Sequence, residues 1–589
     1  MQNKYNLDFT PSSYQEQIFD FVLHGKGNAM IKACAGSGKT KTLVTSMKLL
    51  PRKRKCLFIA FNKSIVSELT GKLKGYDNCT ITTIHGLGYS ILLRNSEDME
   101  ALEVNEYKYR LQLKKNITQY VTLPQDVEWT NAQINEYLEN ILSLVDYARF
   151  NLAQSEDEIK KVAIKYDIPL MYEEPKVVIE LLDWGKNQTN VIDYTDMIWI
   201  PVENGLSPKG HQYDWIFFDE AQDASIMAIA LFRKCIKRGT RVMCAGDPDQ
   251  SINMFAGASE DAFEELSSGK NTSLFTLPIT YRCAKKITEF ANNIVKDIIP
   301  LDNAPEGEIL SDVKIPQLHD GDMVLSRSKT PLINLYARLL RRNINCYIKG
   351  QNIGLNLIRL IEYVDIDKLY PHLENDGVFV RLYDMMFAER KRLMQLTGLD
   401  LRDATMTNTI MELYDSIAAL QILAERCNDK KELIDHIRGI FKDDSDGISL
   451  STIHKAKGLE SDRVFILCNS SLPSKMGKAN WQRQQEINLQ YVAYTRARKL
   501  LGFFSEDIIK PSASLLDADN IMNDLNFIEH RVCDILGKTP SEEINDVDYS
   551  RYKLKTITRV EIEKAKVNVT SFDEDEDVMD LDEIEAMIQ

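Results

Sequence analysis

A chain of 589 residues exceeds what one hydrophobic core usually serves, so several domains are expected. With 44% hydrophobic and 27% charged residues it has the composition of an ordinary soluble protein, and no apolar run nears the ~20 residues of a membrane span. The net charge of −15 sits unevenly: residues 571–589 hold nine acids and no Lys or Arg, leaving −6 for the first 570, a balance that still permits a local basic channel. Ten cysteines without a C-x-x-C pair argue against a zinc site or a disulfide framework and read as reduced core residues. The first residues lack a signal-peptide h-region, so an intracellular protein is expected.

Along the chain, residues 29–32, 56–61 and 80–83 are short β-rich runs, each followed by a turn signal and a helical pattern, which predicts βαβ units and a parallel sheet. From about 87 to 186 the pattern changes to long amphipathic stretches, such as 131–150 and 156–166. Strand character returns at 214–218 and 240–245, where apolar runs end in polar residues. A second α/β region starts near Leu277, with strands at 323–326 and 345–348, a helical stretch over about 358–441, strands at 447–452 and 463–468, and a helix over 486–499. The expected organisation is two α/β cores, each interrupted by a helical insertion. The segment 511–570 is a C-terminal extension without a clear assignment, and the acidic tail 571–589 is expected to be disordered.

The chemistry concentrates in a few stretches. Met30-Ile31-Lys32-Ala33-Cys34-Ala35-Gly36-Ser37-Gly38-Lys39-Thr40 is an apolar run, a glycine turn and a helix start. It fits G-x-x-x-x-G-K-[ST] except that Ala33 takes the first glycine position. Such a turn offers backbone N–H groups and a helix N-terminus to an anion, with Lys39 reaching the β- and γ-phosphates and the Thr40 hydroxyl ligating Mg²⁺. Asp219-Glu220-Ala221-Gln222-Asp223 follows a strand. Asp219 suits a Mg²⁺ ligand and Glu220 a base that polarises water. Gln250, in Asp247-Pro248-Asp249-Gln250-Ser251, suits a contact to the γ-phosphate or the attacking water. The basic run Arg52-Lys53-Arg54-Lys55 reads as a solvated turn, with contact to DNA phosphates as the alternative.

Together these stretches resemble the superfamily 1A DNA helicases of the UvrD/Rep/PcrA group. Ala60-Phe61-Asn62-Lys63-Ser64 and Thr83-Ile84-His85-Gly86 are closest in wording to the F-box DNA helicase branch and to phage-encoded relatives. The resemblance spans about residues 11–498 and implies two RecA-like parallel-sheet motor domains, each with a mainly helical insertion, plus the acidic tail. Its implied boundaries are 1–86 with 190–276 for the first motor domain and 87–189 for its insertion. For the second they are 277–357 with 443–510 and, for its insertion, 358–442.

The resemblance also assigns roles. Gln15 is similar to the residue that reads the adenine edge, and Tyr281 to the one that stacks on adenine. Arg282 and Arg496 resemble two arginine fingers, and Glu460 a ribose contact. Ala35, Gly36, Ser37, Gly38, Lys39, Thr40 and Lys41 make up the phosphate loop. Phe61, Asn62, Thr83, His85, Phe255, Thr452 and His454 resemble residues that touch single-stranded DNA, and Asp193 to Ile198 the acidic motif before the Asp219 strand. ATP and Mg²⁺ are the implied cofactors; single-stranded and tailed duplex DNA are the implied partners of a monomeric motor. A protein partner for the tail is a further expectation, from acids interleaved with apolar residues over 578–588.

Some positions depart from the family pattern. Asn253 and Ala256 stand where Tyr and Arg are usual, which weakens the expected DNA grip, although Phe255 can still stack on a base for ~1–3 kcal/mol. Thr280 and Asn488 replace a common Asn and Arg without touching the ATPase. The implied function is ATP-dependent 3′→5′ translocation and unwinding. The alternatives are a DNA-stimulated ATPase that strips proteins from DNA, and a P-loop NTPase switch. The switch leaves Gln15, the two arginines and residues 452–460 without a role.

Overall fold

The computed structural model describes residues 4–540 except 6, 97–101, 117–130, 167, 169, 171–172, 189, 207, 211, 255–256, 270, 341, 398, 443–445, 475–479 and 506–517. The expectations for Phe255 and for the acidic tail therefore fall outside the described residues. So does most of what was expected of the C-terminal extension. The chain divides into two compact units, one within Met1–Ile279 and the other within Thr280–Thr556.

The first unit is built on a six-stranded, all-parallel sheet. Its strands are β1 (Asn28–Ala33), β2 (Cys56–Ala60), β3 (Cys79–Thr83), β4 (Trp215–Phe218), β5 (Arg241–Gly246) and β6 (Thr272–Leu277), in the order β3-β2-β4-β5-β1-β6. A parallel sheet is covered on both faces, so its central strands read as unbroken apolar runs, and all four residues of β4 are buried. Successive side chains still point to opposite faces. Trp215 and Phe217 join Ile18, Leu43 and Met47 of α1 (Ser13–His24) and α2 (Lys39–Lys48) in one core. Ile216 and Phe218 enter another, shared with α4 (Ile84–Asn95), which follows α3 (Lys63–Lys72).

That second core continues into the helical segment between β3 and β4. It takes in α5 (Lys108–Lys115), α6 (Asn131–Asn151), α7 (Glu156–Lys165), α8 (Glu174–Lys186), α9 (Tyr194–Glu203) and, after β4, α10 (Ile226–Lys234). A buried ionic cluster joins these helices. Asp196 on α9 accepts from Lys108 and Tyr109 of α5 and from Arg149 of α6, the last two at 2.8 Å, and Arg149 also binds Asp193 at 2.8 Å. Backbone contact is close as well, for a Cβ on Gly88 of α4 would lie 2.0 Å from the Met197 carbonyl of α9.

The second unit repeats the plan. Strands β7 (Glu308–Val313), β8 (Met323–Ser326), β9 (Cys346–Ile348), β10 (Ile448–Thr452), β11 (Ser461–Ile466) and β12 (Ala497–Phe504) form a parallel sheet in the order β7-β12-β11-β8-β10-β9. Between β9 and β10 the chain is helical, including α11 (Val378–Thr397) and α12 (Asn408–Ala424), and both share a core with the sheet. The helix expected over 486–499 is α13 (Asn480–Tyr494), and it stops where β12 begins. The apolar run Leu500–Phe504 is better satisfied as a strand beside β11, where Leu501 is fully buried. Strands β6 and β7, which sequence patterning passed over, are edge strands with mixed exposure. After β12, α14 (Ala518–Leu536) packs back on α11: Glu529 pairs with the fully buried Arg390, and Lys538 binds Asp384 at 2.7 Å.

Candidate nucleotide and nucleic-acid site

In a parallel sheet the loops at the C-terminal ends of the strands carry ligand chemistry. In the first unit they bring together Lys39, Asp219, Glu220 and Gln250, which the sequence left up to about 210 residues apart. The turn after β1 depends on Gly36 and Gly38, both in the left-handed region at φ +70° and +74°. Gly38 is the N-cap of α2 and supplies no capping side chain, so the first N–H groups of that helix receive no acceptor from the cap side chain. Ser37 Oγ lies buried in the same turn with no hydrogen-bond partner. An uncapped helix start and an orphaned hydroxyl fit a polyphosphate.

Two carboxylates hold the Lys39 ammonium, Glu220 at 2.6 Å and Asp219 at 3.7 Å. Burial pulls the Lys39 pKa down, but these acids more than offset it and hold the side chain protonated. Asp219 is 1% exposed and accepts from the Thr40 hydroxyl at 2.6 Å and from the Glu220 N–H at 3.0 Å. Burial raises its pKa, against the pull of Lys39. The Thr40–Asp219 pair is the donor set a Mg²⁺ ion takes, one hydroxyl and one carboxylate with room for phosphate and water. Glu220 itself is held at φ +54°, a left-handed conformation that costs a non-glycine residue of order 1–3 kcal/mol and is sustained by its surroundings.

Part of those surroundings is Gln222, a residue without a role in the sequence analysis. Its amide donates to Glu220 Oε2 at 2.6 Å and accepts from the Asp247 N–H at 3.0 Å. Gly246 is needed for this approach, since a Cβ there would lie 2.6 Å from Gln222 Oε1. Asp247 in turn accepts from Gln250 Nε2 at 2.5 Å. Burial raises its pKa to about 7. The turn after β4 and the turn after β5 are thus hydrogen-bonded to each other. Asn253 extends the link, donating to Asp223 Oδ1 at 3.1 Å. The signal available in the sequence was the spacing Asp-Glu-x-Gln, which sets one amide beside Glu220.

Gln15 is buried, with its side chain already used. It accepts from the Ser12 N–H at 3.0 Å in a capping box and donates to the Thr42 hydroxyl of α2 at 3.0 Å. Lys41 lies 3.8 Å over the Phe9 ring. Among the residues expected at DNA, Phe61 is 43% exposed just after β2. Asn62 caps α3 through the Ile65 N–H, Thr83 caps α4 through the Gly86 N–H, and His85 is exposed on the first turn of α4. All four lie at the C-terminal edge of the sheet.

In the second unit the expected residues separate to the two edges of the sheet. At the N-terminal ends of β11 and β12, Arg282 pairs with Glu460 and donates to the Thr495 carbonyl at 3.3 Å, while Arg498 reaches Glu460 at 3.5 Å. Arg496 is only 1% exposed. Its guanidinium donates to the carbonyls of Val492 and Leu459 at 2.9 and 3.2 Å, and to the Thr495 hydroxyl at 3.2 Å. Tyr281 is 44% exposed beside them. Thr452 and His454 sit at the opposite edge, where β10 ends. There burial, with the nearby cations Arg327 and Lys457, keeps the His454 imidazole neutral.

Two family models match the chain, one within each unit. The family model described as the UvrD/REP helicase N-terminal domain matches residues 14–270, and that of the UvrD-like helicase C-terminal domain matches residues 366–506. The F-box DNA helicase protein 1 of Schizosaccharomyces pombe is 24% identical over 83% of this chain and 57% of its own. The F-box DNA helicase 1 of Gallus gallus is 24% identical over 83% of this chain and 48% of its own. The ATP-dependent DNA helicase Rep of Buchnera aphidicola is 20% identical over 81% of this chain and 92% of its own. The chain therefore spans about half the length of the F-box relatives it matches.

Proposed function

Because the chain belongs to the UvrD/Rep-like helicases of superfamily 1A, we propose that it is an ATP-dependent DNA translocase and helicase moving 3′→5′ on single-stranded DNA. The observation that carries this reading is the constellation of Lys39, Thr40, Asp219 and Glu220 around an uncapped helix start. A nucleoside triphosphate would exchange its phosphates for the carboxylates on Lys39, freeing Glu220 to take a proton from the attacking water. Thr40 and Asp219 would hold Mg²⁺, which when bound offsets charge on the phosphate oxygens. Gln222 keeps Glu220 oriented, and Gln250 would leave Asp247 to meet the γ-phosphate or the water.

Arg282 and Arg496 supply the remaining positive charge in this reading, and a planar, permanently charged guanidinium suits the transferring phosphoryl group. Both are engaged within their own unit, so each would exchange partners during the cycle: Arg282 would leave Glu460, which would turn to the ribose, and Arg496 would leave its carbonyls. Tyr281 would stack on adenine, with Gln15 at the adenine edge. Phe61, Asn62, Thr83, His85, Phe255, Thr452 and His454 would line the path of the strand. One observation favours a second reading, a translocase that strips proteins with little unwinding: Asn253, where a stacking Tyr is usual, is committed to Asp223.

The test is ATP hydrolysis with and without single-stranded DNA. Wild type should be stimulated by DNA, and Lys39→Ala should lose hydrolysis by a factor of about 10² or more, the usual loss of a preorganised electrostatic contact. Strand displacement from a 3′ tail and not from a 5′ tail is the expected polarity. A rate indifferent to DNA would remove the motor reading, and stimulation without strand displacement would select the stripping translocase.

A further inference from the structure

The edge of the first sheet opposite the candidate site, where its strands begin, has a different character. The loops leading into β1, β2, β3 and β5 carry the exposed cations Lys26, Lys53, Lys55, Lys74 and Arg238, and the loop into β4 carries exposed Lys209. The strand order places these loops side by side, and hydrogen bonds join them into one surface. Arg52 donates to the Gly75 carbonyl and lies 3.4 Å over the Tyr76 ring, and Asn78 donates to the Arg54 carbonyl at 2.7 Å. Across the sheet, Arg241 donates to the Gly27 carbonyl at 2.9 Å. The carboxylates in these loops are Asp77 and Asp214, and Asp214 is taken by Arg54 at 2.9 Å.

Some of this charge answers the fold itself. Helices α1, α2 and α3 end at this edge, and each brings a partial negative charge of about half a unit. Lys48 and Lys72, in the last turns of α2 and α3, already offset these ends. The loop cations are in excess. They are also remote from the nucleotide turn and from Phe61, Asn62, Thr83 and His85, which occupy the other edge of the same sheet.

We propose that this basic edge is the docking surface for the chain's own acidic segment, residues 571–589. Charge complementarity selects that occupant: the segment holds nine acids and no Lys or Arg in a chain whose remainder is nearly balanced. Reach permits it. Residues 541–570 span up to ~100 Å when extended, against a radius of gyration of about 20 Å for a unit of this size. A covalent tether makes the encounter intramolecular, so individually weak surface pairs can act together. The apolar residues among the acids, such as Leu581 and Ile584, have exposed Leu23 beside Lys26 as a partner on this edge.

The experiment is zero-length carbodiimide cross-linking of the full chain, with the products mapped by mass spectrometry. Tail carboxylates should couple to Lys26, Lys55 and Lys74 within one monomer. The yield should fall about tenfold as salt rises from ~50 to ~500 mM, as the screening length of exposed charges shrinks. The double reversal Lys53→Glu with Arg238→Glu leaves those three lysines in place and should also lower the yield about tenfold, because the attraction is electrostatic. Unchanged basal ATP hydrolysis in that variant checks that it folds. Cross-links scattered over other lysines, formed only between two molecules, or insensitive to the reversal would overturn the proposal. If the reversal weakens duplex DNA binding while tail cross-links persist, the edge is a nucleic-acid surface and the proposal also fails.

Discussion

At the scale of single residues, the carboxylates decide the character of the site. Asp219 and Asp247 are both buried, but Asp219 pairs with Lys39. The Asp247 carboxylate has no cation in contact among the described residues and accepts from the Gln250 amide and the Asp249 N–H, with the acids Asp249 and Glu220 nearby. Asp247 consequently keeps its proton up to about pH 7, far above the usual Asp range. The folded state then binds more protons than the unfolded chain between roughly pH 4 and pH 7, so this residue's contribution to stability is complete at low pH and is lost as pH rises through that window. Asp247→Asn should flatten the fall in unfolding free energy across the window, by at most about 1.4 kcal/mol per pH unit for one proton. Denaturant titrations of both proteins at several pH values measure the difference. The glycine turn and its meeting with the acids Asp219 and Glu220 at Lys39 were legible in the sequence, because glycine, lysine and paired acids recur there at fixed spacing. The roles of Gln222 and Asp247 were not, since an amide acquires meaning only when another turn is brought against it.

At the scale of elements, helices α5, α6 and α9 of the first unit are joined by charge as well as by apolar packing. Asp196, at the start of α9, is an acceptor shared by Lys108, Tyr109 and Arg149, all of them buried. Removing one member of a buried ionic group leaves a charge uncompensated, which costs far more than an exposed pair would. Asp196→Asn should therefore destabilise the first unit by about 3–5 kcal/mol, seen in urea unfolding and as faster proteolysis within α5 and α6. Long amphipathic helices such as α6 and α7 were readable from their periodicity, as were the fully apolar central strands. Edge strands β6 and β7 were not, because half their side chains meet water and the pattern weakens. The overrun of the helix expected over 486–499 has a related cause, since the sequence marks no cap between Tyr494 and Ala497. The expected division at 86/87 between sheet and insertion lies inside α4, a helix that serves both.

At the scale of the molecule, two α/β cores with helical insertions followed from the alternation of strand and helix signals alone, and the family match identifies them as the UvrD-like architecture. The matched family region ends at residue 506, but the core of the second unit does not. Ile521, Leu525 and Val532 of α14 lie in that core, and Glu529 is the partner of Arg390. A chain shortened to residue 506 should lower the melting transition of the second unit and leave that of the first in place. Calorimetry, with Glu529→Ala as the milder version of the same loss, distinguishes the two transitions. A single transition that does not move would show that α14 adds nothing to stability.

The strand pairing also bears on the order in which the protein can be made. The ribosome releases the chain from its N-terminus at about 5–20 residues per second, and domains generally fold as they emerge. The first sheet is complete in sequence once β6 has appeared, at Leu277. The second sheet cannot close so early: β7 at Glu308–Val313 pairs with β12 at Ala497–Phe504, and the helix that covers α11 comes later still. On that timescale the later half of the polypeptide waits some tens of seconds, with an unpaired strand and an uncovered apolar helix, beside a finished neighbour. Nascent chains stalled before and after β12 would differ most in their demand for chaperones.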